Sequence, residues 1–245
     1  MLEKSSAVVP KLIYFDEIDS TNAELARMER ASLPEFTALV AASQTAGRGR
    51  MDRDWVSEPG ASLAVSVLLR PNAKPGEMSW ITILAALSVR AAVNSLGCSG
   101  ASIKWPNDVL VDGKKISGIL ARLEGQDLIL GVGINLKPQA NAPEHATSLT
   151  ELGTEANLDE VLAEFLTQLR GRYLRFLADT SWAIGLSGDE FRQFSSTLGQ
   201  RVRAIYPDGR ELVGIAKDID KLGNLVIDDG ERHSVSAADI VHLRN

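Results

Sequence analysis

Cysteine, histidine and long apolar runs are all scarce in this chain, and each shortage excludes a class of function. The single cysteine, Cys98, rules out an intrachain disulfide and a multi-cysteine zinc site, and it fits a reducing compartment, so a cytoplasmic location is expected. His145, His233 and His242 lie far apart in the sequence without metal-ligand spacing, no G-x-S-x-G elbow is present, and Cys98 has no evident base. No resident metal and no covalent enzyme intermediate are therefore expected. The first six residues carry no apolar h-region, and the most apolar later stretch, residues 80–93, is interrupted by Thr82, Ser88 and Arg90, so neither a signal peptide nor a membrane span is read. Basic residues are also short: 26 lysines and arginines face 32 acidic residues, a net charge of −6 that disfavours general nucleic-acid coating. No internal repeat and no low-complexity tract is present.

What remains is a soluble chain of average texture, with 245 residues, 44% apolar and 24% charged, enough for one large domain and a small appendage. Short apolar runs predict strands at residues 11–15, 36–43 and 61–69. Thr21 and Glu24 have capping-box spacing at the start of a helix, and residues 79–96 form a second helix closed by Gly97. Residues 103–105, 108–111, 116–123 and 128–134, separated by turn signals, read as a meander. Apolar residues from Leu158 to Leu177 recur at steps of three and four behind Asn157 and Glu160, a capped amphipathic helix. Beyond Thr197 the texture changes to short strands around residues 202–206, 212–216, 225–227 and 234–236. That density predicts a small β-barrel and a boundary that divides the chain into 1–197 and 198–245.

Three segments concentrate chemistry. The first runs from Gln44 through Gly47-Arg48-Gly49-Arg50 to Arg53 and Trp55: glycines allow close backbone approach, and forked guanidinium donors suit carboxylate and phosphate. It reads equally as a solvated loop, because Asp52 and Asp54 offset two of its three arginines. No Gly-Lys-Ser/Thr ends it, so it is not a P-loop. The second is Lys104-Trp105-Pro106-Asn107-Asp108 with Lys115-Ile116-Ser117-Gly118, where an ammonium at the mouth of an apolar pocket competes with a hairpin bearing exposed lysines. The third, Gly131-x-Gly133-x-Asn135, leaves one face of a strand bare for a ligand or another backbone.

These segments, in this order and together with Asp19-Ser20-Thr21-Asn22, resemble the biotin protein ligases, or biotin–[acetyl-CoA-carboxylase] ligases. The resemblance spans nearly the whole chain. It implies an α+β fold: a mixed-sheet catalytic α/β domain of the biotin/lipoate ligase type followed by a small SH3-like barrel. It implies formation of biotinyl-5′-AMP from biotin and ATP, with Mg²⁺ accompanying ATP, and transfer of biotin to one lysine of a biotin carboxyl carrier protein. By the same resemblance Ser20, Thr21, Asn22, Gln44, Gly47, Arg48, Lys115, Gly118, Gly131 and Gly133 contact biotin, with Thr21 divided between a helix cap and the ligand. Arg48, Gly49, Arg50, Arg53, Trp55, Asn107 and Asn135 contact ATP or the adenylate. Arg50, Lys115 and Asp108 are the catalytic candidates, Asn107 and Asp108 being shared among the nucleotide, its Mg²⁺ and the incoming lysine. Trp55 and Trp105 serve either as flat walls near the ligand or as core.

The loop departs from the family pattern at Met51 and Asp52, where a basic residue and a glycine commonly follow. The catalytic match begins by about Lys11, so the resemblance implies a monofunctional ligase without the N-terminal DNA-binding domain, active as a monomer or weak homodimer and binding neither DNA nor membrane. The barrel region, with seven basic and eight acidic residues, agrees with that. The competing readings are a lipoate or octanoate ligase or transferase of the same superfamily, the transferases using a cysteine nucleophile that would here be Cys98, and a binding module built on the barrel.

Overall fold

The computed structural model describes residues 2–55 and 58–243. A seven-stranded mixed sheet holds β1 (Leu12–Phe15), β2 (Ala38–Ala41), β3 (Ser62–Leu69), β4 (Ser102–Lys104), β5 (Asp108–Val111), β6 (Lys114–Glu124) and β7 (Asp127–Asn135) in the order β1-β2-β3-β7-β6-β5-β4. Strands β4 to β7 form the expected antiparallel meander, and only β1 and β2 pair in parallel. Every residue of β3 is buried, because both faces of the sheet are covered at its centre.

The two faces are covered differently. On one, Leu63, Val65, Val67 and Leu69 join the main core beneath α3 (Ser79–Ser95), over which α4 (Leu158–Ala178) packs. Each such buried Leu or Val contributes about 1.5–3 kcal/mol relative to exposure. Asn157 and Glu160 make the anticipated capping box of α4, and Leu96 and Gly97 end α3, Gly97 at φ 103°. On the other face, α2 (Thr21–Arg27) covers only half the sheet, burying Leu25 against Leu39, Leu68 and Ile129. Farther along the same face the strands carry small residues, Ala64, Gly131 and Gly133, and an open cleft replaces the helix. A short helix, α1 (Glu3–Ser6), is pinned to the start of α4 by Ser5, whose backbone N–H and hydroxyl donate to Asp159.

Two elements go beyond the sequence reading. Helix α5 (Thr180–Phe194) follows α4 directly; Gly185, Gly188 and the exposed Trp182 and Leu186 blur its apolar stripe. Its buried side, with Ala183 and Phe191, still closes the core. The other addition is the last strand of the second sheet. That antiparallel sheet orders β8 (Arg201–Ile205), β9 (Glu211–Ile219), β10 (Leu225–Asp228), β11 (Arg232–Val235) and β12 (Asp239–His242) as β11-β10-β9-β8-β12. Its β9–β10 loop is gripped from the first sheet's side by two indoles: Trp80 Nε1 donates to the Lys221 carbonyl at 2.9 Å and Trp105 Nε1 to that of Gly223 at 3.0 Å. Trp105, 3% exposed, thus serves as docking core and also borders the cleft described below. Among the described residues no helix is long and apolar enough to cross a membrane.

Candidate active site

The cleft of about 840 Å³ lies within the usual range of ligand pockets, roughly 300–1,000 Å³. It is lined by the start of α2, the arginine-rich loop, the cleft faces of β5 to β7, the loop around Pro143 and strand β12. Of the residues assigned by the resemblance to biotin, nucleotide or catalysis, all but Gly47 line it. Gly47 is buried under the loop, where a methyl group would stand 2.7 Å from the Trp55 carbonyl oxygen.

One end of the cleft is a neutral polar wall. Ser20, not Thr21, is the N-cap of α2, its side chain accepting from the Ala23 N–H at 3.5 Å, which corrects the capping-box reading by one residue. Thr21 is thereby the first helical residue, and its N–H and hydroxyl both donate to Gln44 Oε1, at 2.8 and 3.1 Å. Asn22 donates from Nδ2 to the Leu120 carbonyl at 3.2 Å. Behind these residues stands Ser66 of β3, fully buried, with its hydroxyl 2.6 Å from Asn22 Oδ1 and 2.8 Å from Thr21 Oγ1. Sequence reasoning missed Ser66; its only signal is a hydroxyl on an otherwise apolar buried strand. The helix start is anchored from outside by Arg27, whose guanidinium holds the Asp19 carboxyl down at about 2.

The glycine-bare strand is already occupied. A methyl on Gly131 would stand 2.5 Å from the Asn22 amide, and one on Gly133 would stand 2.3 Å from the Trp55 ring. Gly118 lies under Trp55 and Lys115 in the same way. These glycines therefore admit side chains of the protein itself, and the Trp55 indole rests on the cleft floor with its buried Nε1 unpaired. An orphaned buried donor carries a cost of about 1–3 kcal/mol.

The other end is ionic. Lys115 Nζ pairs with Asp108 Oδ1 at 2.7 Å, both side chains about one quarter exposed, and lies 5.7 Å from the Trp55 ring centre. Arg50 Nη2 donates to the Ala238 carbonyl at 3.1 Å and Nη1 to Asn107 Oδ1 at 3.4 Å, while Asn107 Nδ2 is fixed to the Ile119 carbonyl at 2.8 Å. Arg53 pairs with Asp239 of β12, and Arg48 with Asp54 at 2.8 Å. Gly49 closes this loop by donating to the Arg53 carbonyl. Burial lowers the pKa of Arg50 and of Lys104, opposed in both by the Asp108 carboxylate. Five cations, Arg48, Arg50, Arg53, Lys104 and Lys115, face three carboxylates, Asp54, Asp108 and Asp239, so an acidic protein carries a positive cleft. Asn135 also lines the cleft, and its Nδ2 donates to the Thr147 carbonyl at 2.9 Å, holding the loop after β7.

Among the described residues no group of three or more His, Cys, Asp or Glu is placed to hold a metal ion. Cys98 is buried in the core, its Sγ 3.2 Å from Thr154 Oγ1, and does not line the cleft.

A model of the Biotin/lipoate A/B protein ligase family matches residues 14–138, and one of the Biotin protein ligase C terminal domain matches residues 197–243. The chain is 38% identical over 237 residues to Biotin–[acetyl-CoA-carboxylase] ligase of Mycobacterium tuberculosis, covering 92% of this chain and 86% of that protein. It is 31% identical to the Bifunctional ligase/repressor BirA of Bacillus subtilis, covering 97% of this chain and 75% of that one. Among solved structures, the biotin protein ligase from Aquifex aeolicus in complex with biotin and ATP is similar with a TM-score of 0.84 at 28% identity, covering 96% of this chain and all of that one.

Proposed function

The chain belongs to the biotin/lipoate A/B protein ligase family, and from that premise we propose that it is an ATP-dependent biotin protein ligase. It joins the biotin carboxylate to the α-phosphorus of ATP, releases pyrophosphate, and passes the biotinyl group from biotinyl-5′-AMP to the ε-amine of one lysine on a biotin carboxyl carrier domain. The observation that carries this reading is a single cleft with a neutral hydrogen-bonding wall at one end and a cluster of cations at the other. A ureido head with an anionic tail needs the first, and two anions brought together need the second.

In this reading Ser20, Thr21, Asn22 and Gln44 receive the ureido ring over Gly131, Gly133 and Gly118. The Trp55 indole yields that floor to the ring and becomes its wall. Lys115 meets the carboxylate, while Arg48, Arg50 and Arg53 meet the phosphates with Gly49 and Asn107. Fixed cations aimed at the charge that builds on the α-phosphate lower the barrier without reorganisation at the moment of reaction. Asp108 balances Lys115 in the free enzyme and stands where the incoming lysine must lose its proton. The residues fit Mg²⁺ as the companion of ATP, since Asp108 and Asn107 offer oxygen ligands where the nucleotide phosphates would lie. That ion, when bound, neutralises phosphate charge. The division into a catalytic unit, 1–197, and a barrel, 198–245, assigns β12 the role of closing the nucleotide end.

The transferase reading loses its nucleophile in Cys98, which is buried away from the cleft, and against a lipoate or octanoate ligase stands the C-terminal match to biotin protein ligases. The experiment is to incubate purified protein with biotin, MgATP and a carrier domain and to weigh the carrier. A gain of one biotinyl group at one lysine, dependent on ATP and abolished by chelating Mg²⁺, is expected. An unmodified carrier with no pyrophosphate formed would overturn the proposal.

A further inference from the structure

Ser66 lies on β3 between apolar neighbours, is fully buried, and does not line the cleft, yet its hydroxyl touches two residues that do. An alanine would fill that space, so the hydroxyl calls for a separate explanation. The explanation lies in which hydrogen-bonding groups of the wall are free to turn.

Two backbone groups cannot turn. The Leu120 carbonyl only accepts, so Asn22 presents Nδ2 to it and directs Oδ1 at Ser66. The Thr21 N–H only donates, so Gln44 presents Oε1 to it and keeps its amide nitrogen for other partners. The Thr21 hydroxyl gives its proton to that same Gln44 oxygen and, together with Asn22 Oδ1, accepts the single Ser66 proton, which is shared between the two. With Ser66 and Gln44 both engaged on the protein side, Thr21 Oγ1 turns only a lone pair to the cleft, beside an amide that can only donate. Acceptor next to donor is the complement of an N–H beside a carbonyl, the edge that a cyclic urea offers.

We propose that Ser66 is a positioning residue for the ureido ring: by engaging Asn22 and Thr21 from behind, it fixes Thr21 Oγ1 as an acceptor and so helps select the head group. The inference rests on the biotin ligase reading and deepens it. Gly131, directly across from Ser66 in the β3–β7 register, belongs to the same device, because its bare face leaves room for the Asn22 amide.

The test is biotin affinity by calorimetry without ATP, together with steady-state kinetics. Ser66→Ala is expected to weaken biotin binding and raise its KM about tenfold, the scale of one buried hydrogen bond, with kcat and the KM for ATP within about twofold of wild type. In a Thr21→Ala background the same change should cost almost nothing more, since the pair acts as one unit. Ser66→Cys, which keeps a donor at that position, though a weaker one on a larger atom, should fall between and carries the test should Ser66→Ala fail to fold. Unchanged biotin affinity in Ser66→Ala, fully additive losses with Thr21→Ala, or an equal rise in the KM for ATP would overturn the role of Ser66. Absence of biotin binding by the wild-type protein would instead overturn the ligase reading itself.

Discussion

The two ends of the cleft are built on opposite principles. At the head end the polar groups are neutral, buried or half-buried, and engaged with one another, and two of them are tied to backbone atoms that cannot reorient. At the reacting end the groups are charged, and two of the loop arginines are held by contacts in or near solvent: the Arg48–Asp54 pair is 55% and 82% exposed, and Arg53 is 67% exposed. Exposed pairs of that kind contribute about 0–1 kcal/mol each, whereas a buried hydrogen-bonded network resists change as a unit. In the proposed reading, selection among carboxylic acids falls to the head end, whose groups are already tied to one another and to the backbone. Catalysis falls to the reacting end, where the cations meet the phosphates.

The largest effect should come from Lys115. Lys115→Ala removes a fixed charge from a site where two anions meet, and pyrophosphate release should fall roughly 10²-fold or more. Biotin bound without ATP should weaken far less, because the head end is untouched; equal losses in both would erase the division between the ends. Next comes Gly133→Ala, whose methyl would overlap the Trp55 ring. It should displace the indole and weaken biotin binding about tenfold, visible as an altered tryptophan emission in the free protein. Arg50→Gly should still form the adenylate but release it, since the loop then loses its ties to Asn107 and the Ala238 carbonyl. Labelling of bystander proteins should rise several-fold, and tryptic cleavage after Arg48 and Arg53 should no longer slow when biotin and ATP are added.

The smallest effect is one of pH. Burial, with the Lys104 ammonium nearby, lowers the His242 imidazole below its usual value, so the unfolded chain takes up that proton first as pH falls. Stability gained from the neutral ring is complete above about pH 6.5 and declines below it, until the folded state also binds the proton. His242→Gln should flatten the melting temperature across that acidic window, leaving the value near neutrality within a degree or two, about the effect of a few tenths of a kcal/mol.

The two ends also differ in how legible they were in the sequence. Glycines and arginines announce themselves: Gly131-x-Gly133 and Gly47-Arg48-Gly49-Arg50 stood out from composition, and the strand pattern around them placed the meander correctly. What the glycines make room for was not legible, because Asn22 and Trp55 reach them from distant segments. Ser66 escaped because one serine on an apolar strand has no periodic signature; its meaning is a contact with residues more than forty positions away. The cap moved from Thr21 to Ser20 because both are good caps and only the geometry of Gln44 decides between them. Helix α5 was hidden by its glycines, and the docking role of Trp105 by its dependence on a loop of the other sheet.

Pyrophosphate release with biotin, lipoate and octanoate offered separately tests the division most directly, because all three carry the same carboxylate to the reacting end and only biotin carries a ureido ring to the other. Release with biotin and none above background with the other two is the predicted result. Comparable release with lipoate or octanoate would contradict it, showing that the neutral wall does not choose the substrate.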